Sequence, residues 1–176
     1  TISSSFKVMD ENTKEDYDAG FTLAFTDGSK LDVLNAGNAS GSHAVSIPSS
    51  AGAEGITLTT SNSASTGLDF ATASTVQGVE YHTAADFLAD GLKMSFSAST
   101  DSGAANAATY RTDSHFAIGA TYVTDLGDTA VTFGAGYSDS EGSTTGTTPT
   151  ADTNGSHVGV SAVTGDLTVA VGFADG

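Results

Sequence analysis

The sequence predicts an all-β protein, an up-and-down antiparallel meander that forms a length of transmembrane β-barrel wall. Three observations predict it. Apolar and polar residues alternate with a period of two along most of the chain, helical periodicity is nearly absent, and long connections alternate with short ones. One domain spans residues 1–176, as a whole barrel domain or an interior part of one.

The earliest strands read from Phe6 with Val8, Phe21 with Leu23 and Phe25, and Leu31 with Val33. Residues 35–53 are rich in Gly, Ser and Ala and keep no steady period. Ile56 with Leu58, Leu68 with Phe70, and Val79 with Tyr81 resume the alternation, and Thr83 to Asp90 suits one or two helical turns. From there the pattern sharpens. Leu92, Met94, Phe96 and Ala98 share one face; then Phe116, Ile118, Ala120 and Tyr122; then Val131, Phe133, Ala135 and Tyr137. Val158, Val160 and Ala162 continue the series, and Leu167, Val169, Val171 and Phe173 close it.

Between these strands the polar loop Asp101 to Asp113 is followed by the tight Asp125-Leu126-Gly127-Asp128. The loop Asp139 to Asn154 is then followed by Thr164-Gly165-Asp166. Such alternation arises when one end of a barrel carries elaborated loops and the other only turns.

The two faces differ in kind. Asp32, Asp69, Glu80, His82, Lys93, His115 and His157 fall opposite the apolar residues of their strands, among Gly, Ala, Ser and Thr. A solvent-facing sheet carries more long charged side chains than this, so these seven are the candidate pore-lining residues. The candidate lipid-facing residues are Phe96, Phe116, Ile118, Tyr122, Val131, Phe133, Tyr137, Val169, Val171 and Phe173, with aromatics near strand ends as in an interfacial girdle.

Composition excludes several functions. Twenty-one acidic residues against five Lys plus Arg give a net charge of −16, which argues against nucleic acid and anionic ligands. The absence of cysteine removes disulfides and thiolate metal sites. No nucleophile elbow, phosphate-binding loop or zinc-protease motif occurs, so no catalysed reaction and no cofactor are expected. The four histidines are far apart in sequence. Asp10, Asn12, Asp16 and Asp18 alternate as calcium ligands would, but Glu15 stands where an EF-hand needs Gly, and a solvated acidic loop is the favoured reading over Ca2+.

The stretch Gln77-Gly78-Val79-Glu80-Tyr81-His82, with Phe87 and then Gly91-Leu92-Lys93-Met94-Ser95-Phe96-Ser97-Ala98-Ser99, resembles the strand, turn and strand after the constriction loop of Gram-negative general porins. Asp125-Leu126-Gly127-Asp128 leading into Val131-Thr132-Phe133-Gly134-Ala135-Gly136-Tyr137-Ser138 is similar to their later hairpins. The resemblance covers Thr75 to Phe173. It implies a homotrimer of barrels of roughly 16 strands in the bacterial outer membrane, in contact with its lipid and passing small hydrophilic solutes by diffusion. The chain departs from that family in ending Ala174-Asp175-Gly176 beyond Phe173, and in having Arg111 as its single arginine. It is therefore expected to be a partial chain that does not close alone.

The expected function is passive diffusion of small hydrophilic solutes, with cations preferred. The alternative is a secreted or cell-surface structural protein, an adhesin-like sandwich, solenoid or fibre subunit. No repeat of fixed length supports a solenoid.

Overall fold

A computed structural model describes residues 2–6, 19–33, 38–45, 78–99, 112–142 and 151–176. They form a single antiparallel sheet of nine strands in sequence order: β1 (Ile2–Phe6), β2 (Ala19–Ala24), β3 (Lys30–Val33), β4 (Gly78–His82), β5 (Leu92–Ser99), β6 (Thr112–Leu126), β7 (Thr129–Gly142), β8 (Thr153–Thr164) and β9 (Leu167–Asp175). The sheet is open. Among the described residues β1 pairs with β2 alone and β9 with β8 alone. The one helical element described is a 3-10 turn, Gly41–His43.

Strands β4 to β9 lie where the alternation predicts them, and β6 and β7 run a few residues beyond. The expectations at Ile56, Leu58, Leu68 and Phe70 fall outside the described residues. Thr83 to Asp90 is not helical. Its backbone instead extends the β4–β5 hairpin, with Thr83 N–H donating to Met94 O at 2.9 Å and Phe87 N–H to Leu92 O at 3.2 Å. Asp86 takes a φ of 64°, which no helix tolerates.

The connection pattern is sharp at β6–β7 and β8–β9 and weaker at β4–β5, whose joint is nearly as long as that between β7 and β8. Residues 7–18, 34–77, 100–111 and 143–152 link β1–β2, β3–β4, β5–β6 and β7–β8, whereas 25–29, 83–91, 127–128 and 165–166 make the intervening joints. In a meander successive joints lie at opposite ends, so every long connection leaves from the same end. The two shortest joints owe their form to glycine. Leu126 pairs with Thr129 and Thr164 with Leu167, and the first central residues, Gly127 and Gly165, have φ of 67° and 57°. A first central residue at positive φ follows the strands' right-handed twist, and glycine reaches it without strain.

Register fixes which side chains share a face. Leu23, Leu31, Tyr81, Phe96, Ile118 and Tyr137 oppose one another across six strands, and Tyr122, Phe133, Val160 and Val171 across four. Tyr122 and Phe133 stack at 6.3 Å between centroids. On the other face Thr22, Asp32, Glu80, Ser97, Ala117 and Ser138 form one row, and Lys30, His82, Ser95, Gly119, Gly136 and His157 the next. Several serines are buried and several large apolar residues exposed, the reverse of the usual preference. Ser95 and Ser97 are each 2% exposed, while Val171 and Phe173 are each 65% exposed.

Replacing Gly127 with Val should destabilise the β6–β7 hairpin by about 1–2 kcal/mol, the cost of forcing a β-branched residue to positive φ. Gly41 has ordinary φ and open space around it, so its replacement by Ala should be near neutral. Equilibrium unfolding followed by circular dichroism checks the contrast.

Candidate functional site

The polar face is cut to receive a second layer. Residues 38–45, part of the β3–β4 connection, fold back across β5, β6 and β7, and Gly119, Gly134 and Gly136 lie directly beneath them. A Cβ on Gly119 would run into the Ala39 carbonyl oxygen, on Gly134 into that of His43, and on Gly136 into the Ser40 hydroxyl and the His157 ring. Glycine is required there because backbone approaches backbone. Ala39, Ser40, His43 and Val45 are accordingly buried.

Polar contacts then fasten this strap. Ala39 N–H donates to Ser97 Oγ at 3.1 Å, and His157 Nε2 meets the Ser40 carbonyl oxygen at 2.8 Å. A carbonyl only accepts, so that nitrogen carries the proton. His43 lies between two strands, with Nδ1 at 2.6 Å from Thr121 Oγ1 and Nε2 at 2.8 Å from Ser95 Oγ. Asn38 Oδ1 caps the turn by accepting from the Ser40 and Gly41 N–H groups.

Ser95 joins the strap to a charged cluster on β3 and β4. His82 Nδ1 lies 2.8 Å from Ser95 Oγ, and its Nε2 lies 3.2 Å from Asp32 Oδ2 and 3.5 Å from Glu80 Oε1. Lys30 Nζ donates to Asp32 Oδ2 at 3.0 Å, and the Thr22 hydroxyl donates to Asp32 Oδ1. With His82 neutral, one hydrogen-bond sense satisfies the chain. Two carboxylates require the proton on His82 Nε2, so its Nδ1 accepts from the Ser95 hydroxyl. Ser95 has a single proton, so His43 Nε2–H must donate to Ser95 Oγ, and His43 Nδ1 accepts from Thr121.

Asp32, Glu80 and His82 bring three donor atoms within 4.8 Å of one another. Lys30 already supplies a cation to Asp32, and we read the group as an ion-pair network rather than a metal centre. Asp10, Asn12, Asp16 and Asp18 lie outside the described residues.

Of the seven candidate pore-lining residues, Asp32 and Glu80 both meet His82, and His157 touches the strap. Lys93 is exposed on the same face, His115 Nδ1 pairs with Ser140 Oγ at 2.8 Å, and Asp69 lies outside the described residues. Among the apolar candidates Phe116, Tyr122, Phe133, Tyr137, Val169, Val171 and Phe173 are exposed, and Phe96 and Ile118 are half-buried. Val131, with Thr124 and Ala162 as its cross-strand neighbours, is 6% exposed and differs in this from the other apolar candidates.

His43 is the site residue that sequence reasoning missed. Isolated in a stretch without periodicity, it gave no local signal. The indirect signal was the glycine series on one face of β6 and β7, which marks where another backbone must approach. No protein-family model, curated protein or solved structure matches the chain.

Ser95→Ala should cost about 1–3 kcal/mol, because it leaves His82 Nδ1 and the His43 Nε2–H without a partner in a buried place. The buried Ser138 hydroxyl has no hydrogen-bond partner among the described residues, so Ser138→Ala should be neutral or stabilising. Chemical denaturation of the two variants side by side makes the comparison.

Proposed function

We propose that this chain is part of the wall of a water-filled outer-membrane β-barrel channel, through which small hydrophilic solutes diffuse passively. The observation that carries the proposal is the inversion of the two faces. Phe116, Phe133, Tyr137, Val158, Val169, Val171 and Phe173 form an exposed apolar surface, while serines, glycines and a charged network occupy the other side. A large apolar surface in water is unfavourable by roughly 25 cal/mol per Å², whereas against acyl chains it needs no cover.

Other features support the same reading. β6, β7 and β8 have 15, 14 and 12 residues, enough for the roughly 9–11 tilted residues that cross the hydrocarbon layer. Long connections leave one end of the sheet and short joints the other, the asymmetry of membrane barrels. The strap crosses the polar side, where it would narrow a channel. That position also fits the resemblance of the strands after it to those that follow a porin constriction loop. A Gram-negative homotrimer embedded in outer-membrane lipid belongs to this proposal through that resemblance, and no catalysed reaction is part of it.

Cation preference follows from the net charge of −16 more than from the described polar face, where Lys30 and Lys93 largely offset Asp32, Glu80 and Asp125. The effect is one of the whole field. It should fade as salt shortens the Debye length from about 10 Å at 0.1 M to about 3 Å at 1 M.

Two measurements test the proposal. The chain has no native cysteine, so single-cysteine spin labels can be placed cleanly. In bilayers, labels at Phe116, Phe133 and Val171 should be accessible to oxygen and protected from a polar relaxant, and a label at Thr132 should show the reverse. Protection from both reagents at the apolar sites would mean a protein layer covers them, as in a secreted sandwich or fibre. In planar bilayers under a salt gradient, reversal potentials should show cation preference at low salt that weakens toward 1 M; anion preference would contradict the assignment.

A further inference from the structure

We propose that residues 38–45 are a strap released from the sheet by acid, with His43 as the proton-sensing latch. The strap is a docked piece rather than a woven one. It adds no strand to the sheet, and it is held by close packing on Gly119, Gly134 and Gly136 and by a few polar contacts in which imidazoles recur. His43 contributes both its ring nitrogens to that contact, and His157 contributes one.

Protonation changes His43 most. In the neutral chain of donors its Nδ1 accepts from Thr121, and an imidazolium would place a second N–H there. The Thr121 hydroxyl can turn to accept it, so the hydrogen bond survives. The charge is the difficulty. Among the described residues, the titratable and charged groups facing His43 are His82 on β4, Lys93 on β5 and His157 on β8. β6 and β7 present Thr121, Gly119 and Gly134, and the carboxylates of Asp32 and Glu80 are reached only through the far nitrogen of His82. A buried cation would therefore meet Lys93, two further imidazoles and no contacting carboxylate, while water beyond the strap solvates it fully.

The sign follows. Burial first, and then repulsion from His82 and His157 in their protonated forms and from Lys93, holds His43 below its ordinary value of 6.5. The released strap thus binds the proton more readily than the docked one. Docking is at full strength above about pH 6.5 and weakens as pH falls, by up to about tenfold per pH unit for one linked proton. Release stands on the polar-face geometry alone; only its consequence, a wider channel in acid, rests on the channel proposal.

The test uses the full chain with a spin label at Gly41→Cys, an exposed position where an added Cβ meets nothing within 4 Å. Ring 15N chemical shifts of His43 are followed in the same pH titration. At pH 8 the label should show the restricted motion of an exposed site on a docked backbone, and His43 should be neutral with its proton on Nε2. Below pH 6.5 the label should become mobile in step with protonation of that ring. In His157→Gln, which keeps a donor for the Ser40 carbonyl but cannot titrate, the transition should persist. Label motion unchanged when His43 is protonated, or a transition that disappears in His157→Gln, would overturn the proposal. Neither outcome bears on whether the opposite face meets lipid.

Discussion

Everything in this molecule depends on the two-residue period of a β-strand carried in register across nine strands. Because each side chain points opposite to its neighbours, one alignment places Leu31, Tyr81, Phe96, Ile118 and Tyr137 together and Asp32, Glu80, Ser97 and Ser138 on the reverse. A slip of one residue in any strand would put that strand's apolar set among the buried serines and carboxylates. The sheet therefore has two chemically distinct faces, and its alignment is dictated by both.

The polar side adds a second level of organisation. Small residues there serve two purposes at once: the absence of Cβ atoms on Gly119, Gly134 and Gly136 admits a backbone segment, and the hydroxyls of Ser95, Ser97 and Thr121 give that segment partners. Ser95 links the strap to the Asp32–Glu80–His82 network, so packing and charge are coupled through one hydroxyl. The preference for neutral His43 and the fixed sense of the hydrogen-bond chain are two expressions of the same arrangement.

The strands were legible because alternation is a local signal, and β5 to β9 needed nothing else. Thr83 to Asp90 misled because Ala and Leu favour a helix in isolation, whereas the hairpin's own cross-bonds, Thr83 to Met94 and Phe87 to Leu92, prevail once β4 and β5 pair. The facing of Asp32, Glu80 and His82 was legible; their contact was not, because it requires the register of β3 against β4 across residues 34–77. His43 was illegible for a stronger reason, since its partners come from β5 and β6. Val131 shows the limit of parity: its place in the alternation identifies its face, but not whether neighbours cover it.

The central claim is that the apolar face meets acyl chains and the polar face meets water. Intermolecular nuclear Overhauser effects in detergent micelles test it most directly. Cross-peaks from acyl-chain protons to the methyls of Val158, Val169 and Val171, with none from the chains to Lys93 or Thr132, are the predicted result. Acyl-chain cross-peaks absent from those valines, with cross-peaks from other protein protons in their place, would contradict it.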